Sequence, residues 1–63
     1  MKWNREKIDM MNIYFASNHW HSFEIRNWEI DESGEGKFQL CIDEFDKGNF
    51  HLLREAKQFA EEY

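Results

Sequence analysis

Two short alternating runs on either side of a turn-rich segment constrain the fold of this chain more than any other feature. Phe23, Ile25, Trp28 and Ile30 precede the segment Asp31-Glu32-Ser33-Gly34-Glu35-Gly36, and Phe38-Gln39-Leu40-Cys41-Ile42 follows it. Alternation of apolar and polar side chains marks a half-buried strand, so the two runs read as an antiparallel hairpin with a long loop. Pairing Ile30 with Phe38 sets Trp28 opposite Leu40, but continuing unbroken would set Arg26 against Ile42. One extra residue, a bulge at Arg26-Asn27 opposite Cys41, repairs the pattern and pairs Ile25 with Ile42. One face then collects the apolar residues, and the other holds Glu24, Glu29, Asp31, Lys37, Gln39, Cys41 and Asp43.

The flanks read as helices. Asn4 suits an N-cap, with Trp3 and Ile8 as a hydrophobic staple around it. Ile8, Met11 and Phe15 recur at helical spacing and Tyr14 widens the stripe, which predicts a helix over 5–16. A second helix is expected from near Asn49 to the end, with Phe50, Leu53, Ala56 or Lys57, Phe59 or Ala60, and Tyr63 along its apolar stripe. Without proline, Gly34, Gly36 and Gly48 are the only strong breakers. The expected architecture is a single small α+β domain over residues 1–63, in the order α-β-β-α. Its two-stranded antiparallel hairpin has both helices packed on one face, because a lone hairpin is unstable in water.

Sixty-three residues bury only about 60 % of the surface of the unfolded chain, so the core is thin. Three Trp, six Phe and two Tyr offset this, since each ring buries a large area. Dimerisation is a second route to stability for so small a body. Trp3, Trp20, Phe45 and Tyr63 lie at element ends, where half-buried aromatics suit either the edge of a core or an interface. Cys41 is the only cysteine, which excludes an internal disulfide and fits a reducing, cytoplasmic setting. No secretory signal is legible at the N-terminus, and no apolar run is long enough to span a membrane.

Charge is sorted along the chain. Eight of the thirteen carboxylates fall between Glu24 and Asp46, against only Arg26 and Lys37 there, so that window carries −6 of an overall −5. An acidic balance disfavours direct binding to nucleic acid or anionic lipid. On the predicted hairpin, Glu29 and Asp31 project from one side about 6.6–7 Å apart, and Glu24 faces Asp43 at roughly 4.5–5.5 Å between Cβ atoms. Glu32, Glu35, Glu44 and Asp46 extend the negative plate. The plainer account is a solvated face whose charges block edge-to-edge aggregation.

The remaining chemistry is sparse. His19 and His21 would share one side of a strand, and with Cys41 or His51 could approach a zinc ion, but the spacing matches no recognised zinc motif. Asp31, Ser33, Glu35 and Gly36 fall at the first, third, fifth and sixth positions of a calcium loop, yet Ile42 stands where its closing glutamate belongs. No metal site and no cofactor is therefore expected. Ser17, Ser22 and Ser33 have no patterned base, and acidic neighbours would blunt Cys41. A single thin layer also offers no cleft for a small molecule. No enzyme is expected and no catalytic residue is named.

In size, acidity and lack of a catalytic motif, the chain resembles small phage-type inhibitors such as anti-CRISPR proteins. The resemblance covers overall character, so it carries over no functional residue. It implies a cytoplasmic, non-enzymatic inhibitor that blocks a nucleic-acid-binding or nuclease complex by charge mimicry or sterics. The expected partner is a basic protein surface, engaged by Glu24, Glu29, Asp31, Glu32, Glu35, Asp43, Glu44 and Asp46. The alternative is an accessory subunit or homodimer that uses exposed aromatics and the hairpin edge.

Overall fold

The computed structural model describes residues 1–28 and 37–63. Its strands are β1 (Asn4–Ile8), β2 (Met11–Ser17), β3 (Ser22–Trp28), β4 (Phe38–Ile42) and β5 (Phe45–Phe50), followed by one helix, α1 (Leu53–Glu61). The strands form a single sheet in chain order, each antiparallel to the next. This overturns the α-β-β-α expectation. The described chain is mostly β, and one short helix covers one side of a five-stranded meander.

The predicted N-terminal helix is instead the hairpin β1–β2. Its helical spacing has a simple origin: Ile8 and Met11 are direct cross-strand partners that close a two-residue turn. Asp9 occupies that turn at φ 53, a left-handed conformation that aspartate tolerates better than most residues. Beyond the turn, β2 alternates. Tyr14 and Ala16 face the helix side, while Met11, Ile13 and Phe15 face the open side. With apolar groups on both faces, the strand reads as readily as a broad helical stripe.

β3 and β4 pair without interruption, Phe23 to Ile42, Ile25 to Leu40 and Asn27 to Phe38. The bulge expected at Arg26-Asn27 is absent, and Trp28 falls on the open side, with the pairing expected for Ile30 outside the described residues. The register shift lies one strand further on, where Leu40 pairs with Gly48 and Cys41 with Asp46, leaving Lys47 as the extra residue. Gly48 adopts φ 118, and its N–H donates to Asp46 Oδ1 at 2.8 Å. A Cβ at Gly48 would meet nothing within 4 Å, so only the backbone conformation restricts the position. Gly48→Ala is expected to cost about 1–2 kcal/mol, read as a shifted urea midpoint with an unchanged slope.

The core lies between the sheet and α1. Phe23, Ile25, Leu40 and Ile42 pack with Ala56 and Ala60, ringed by the partly buried Trp3, Tyr14, Phe38, Phe50 and Leu53. The helix starts at Leu53 rather than at Asn49, because Phe45–Phe50 is committed to β5. Leu52 occupies the N-cap without a side-chain hydrogen bond. A nine-residue helix with no side-chain cap at its start depends on packing for its existence, and the two buried alanines let it lie close on the sheet.

Candidate functional site

The uncovered side of the sheet is built by alternation. Phe15, Glu24, Cys41 and Asp46 stand in one cross-strand row. Arg26 Nε donates to Glu24 Oε2 at 2.8 Å, so one of the row's two carboxylates is already paired. An open concavity of about 900 Å³ lies over this row, with Lys2, Gln39 and Glu44 also on its lining. A thin layer was expected to offer no cleft, and this open concavity lies on one face of the sheet.

Cys41 is buried on this side. Burial pushes its thiol above the ordinary value; Arg26 pulls it back, and Asp46 and Glu24 push it up further. A thiol held protonated in this way is a poor nucleophile.

The expected facing of Glu24 and Asp43 does not occur. Glu24 stands opposite Cys41 and not opposite Asp43. Asp43 and Glu44 make the two-residue β4–β5 turn, at φ 52 and φ 73. Asp43 turns its carboxylate toward the β2–β3 connection: Oδ1 accepts the Ser22 N–H at 2.9 Å, and Oδ2 lies 2.5 Å from His21 Nδ1. The Asp43 N–H donates to the Ser22 carbonyl at 2.8 Å. Asp46 lies on β5, on the concave side, and Glu44 at the turn. Glu29, Asp31, Glu32 and Glu35 lie outside the described residues, as does most of the calcium-loop-like stretch.

These contacts carry a pH dependence. The hydrogen bond with His21, aided by the Ser22 N–H, holds the Asp43 carboxyl below its ordinary value. A depressed carboxyl contributes stability that is present above the unfolded pKa, about 3.9, and is lost as pH falls through the folded one. Thermal midpoints measured from about pH 5 downward should therefore fall more steeply for the wild type than for Asp43→Asn. Parallel curves would show that the Asp43 contacts contribute nothing to stability.

The second feature is the end of the sheet where the β2–β3 and β4–β5 turns meet. Asn18 ties the first turn, its Oδ1 accepting the N–H of Trp20 at 2.8 Å and of His21 at 2.7 Å. The His21 ring meets Tyr63 edge-on at 4.9 Å, which brings the end of the chain to the same place. Trp20 is 82 % exposed, Phe45 70 % and Tyr63 56 %. The cluster was foreshadowed only by the placement of these aromatics at element ends. What joins them is Asp43, whose reach across to His21 has no sequence signal. Among the described residues, no group of three or more His, Cys, Asp or Glu side chains is placed to hold a metal ion, and no helix is long and apolar enough to cross a membrane.

No family model matches the chain, and no curated protein or solved structure matches it.

Proposed function

We propose that this chain is a non-enzymatic protein-binding module that engages a basic surface of its partner, in the manner of an inhibitor that competes with nucleic acid for that surface. The observation that carries the reading is the mixture of carboxylates and exposed aromatics on the uncovered side of the sheet, where Arg26 is paired with Glu24 and Lys2 lies at the margin. The uncovered side of the sheet mixes Glu6, Glu24 and Asp46 with the exposed Phe15 and Trp28. Arg5 lies on the covered side opposite Tyr14, and Lys57 is drawn to that side over the Trp3 and Tyr14 rings, at 5.8 and 5.6 Å. A surface with partly exposed aromatics among carboxylates suits a protein partner carrying arginine or lysine.

Self-association through the β1 edge is less well supported. An antiparallel pair of β1 strands related by a two-fold axis puts Arg5, Glu6 or Lys7 opposite its own copy, according to register. Like charges directly opposite are destabilising.

The test is capture at low salt by immobilised wild type and by the triple variant Glu24→Lys, Glu44→Lys, Asp46→Lys, with release by duplex DNA or by rising salt. Proteins held by the wild type, lost by the variant and released by both treatments support the reading. Identical capture by both forms would overturn it.

A further inference from the structure

Resting on that reading, we infer that the turn end of the sheet is where an arginine- or lysine-bearing segment of the partner docks, with Trp20 and Phe45 receiving its cations. Four observations lead there.

The two rings are the most exposed large hydrophobic side chains among the described residues. Trp20 lies in the β2–β3 connection, and Phe45 opens β5 directly after the β4–β5 turn. Those two connections are centred two strand spacings apart, roughly 10 Å, a distance one extended segment can span. Large aromatics displayed together in this way are the residue type that dominates binding energy at interfaces.

The display is rigid. Asn18 fixes the Trp20 turn through two backbone N–H groups, and Asp43 fastens the β4–β5 turn to it through Ser22 and His21. A surface held in place before binding loses little conformational entropy on docking.

Lysine ammoniums lie over three rings among the described residues, whereas the half-exposed Phe15 and Trp28 on the sheet face have none. Lys47 Nζ lies 5.5 Å from the Tyr63 ring centroid, and Lys57 serves Trp3 and Tyr14. Among the described residues, no ammonium and no second ring lies against Trp20 or Phe45. Ring faces open to water attract cations, arginine above all.

The sign of the partner follows from the turn. Asp43 and Glu44 immediately precede Phe45, and Glu44 holds φ 73 at the second position of a turn where glycine is the favoured residue. An exposed glutamate there carries conformational strain and supplies negative charge beside the ring. Lys47, the nearby cation, is already placed over Tyr63.

The test uses synthetic peptides of alternating arginine and glycine, with a glutamate–glycine peptide as control, titrated into the labelled chain. The Trp20 indole N–H signal, assigned with Trp20→Phe, should shift on addition of the arginine peptide and stay still with the control. Trp20→Ala with Phe45→Ala should weaken binding at least tenfold at an unchanged thermal midpoint. Glu44→Gly should weaken binding several-fold while raising that midpoint. If Glu24→Lys with Asp46→Lys abolishes binding while the double alanine variant binds like wild type, the partner is basic but docks on the sheet face, and the inference is overturned alone. If the arginine peptide binds no better than the control, the basic-partner reading falls with it.

Discussion

Leu40→Ala is expected to remove a large share of the stability of the fold, about 2–5 kcal/mol. Leu40 has no exposed surface and sits in the middle of β4, between Ile25 on one neighbour and Gly48 on the other. It packs in one cluster with Phe23, Ile25, Ile42, Ala56 and Ala60. Truncating a buried leucine costs about 2–5 kcal/mol, because the lost transfer energy is joined by an uncollapsed cavity. The whole stability of a domain this long is about 3–9 kcal/mol at 0.05–0.15 kcal/mol per residue. One substitution therefore removes a large share of it. Urea unfolding followed by circular dichroism decides the matter. A loss under about 1 kcal/mol would mean that the site collapses to fill the gap, contrary to the usual cavity cost.

Ala56→Leu is the complementary test. Ala56 is fully buried where α1 crosses the sheet, and Ala60 repeats the contact one turn later. Only a methyl group separates helix backbone from strand side chains at each point. Three added carbons must displace the helix or force Ile25, Leu40 or Ile42 from their rotamers, at about 1–3 kcal/mol. Leucine is nearly as good a helix former as alanine, so propensity does not explain a loss. The exposed neighbour Glu55→Leu is the control and should stay within about 0.5 kcal/mol of wild type. Equal effects at both positions would show that the helix does not approach closely.

The departures of the fold from local pattern have specific physical causes. The 5–16 segment carries apolar residues at spacings that satisfy a helix. The same spacing arises when Ile8 and Met11 face each other across a tight hairpin, and Asp9-Met10 lacks the Asn-Gly signature that announces such a turn. β5 was hidden because Asp46-Lys47-Gly48-Asn49 is a loop by composition. It becomes a strand because β4 offers it a ladder, and the Asp46–Gly48 contact absorbs the extra residue. The bulge was deduced for a two-stranded hairpin that had to bury Trp28 and Ile30 on the face of Ile25. With five strands, Trp28 can lie on the opposite side. Asp43 was expected to belong to a plate of charge, and it serves as a fastener between two turns. That role depends on strand ends brought together by pairing, which no local pattern records.

Alternation along Phe23–Ile25 and Phe38–Ile42 was enough to determine that these runs become adjacent antiparallel strands, and composition alone sorted most of the negative charge into the middle of the chain. These follow from period and side-chain chemistry, which are local. Tertiary structure decided the number of strands, the side of the sheet that α1 covers, and the placement of Trp20, Phe45 and Tyr63 at one end. Those outcomes depend on hydrogen-bond ladders and packing between residues distant in sequence, whose free energy is realised only when the partners arrive together.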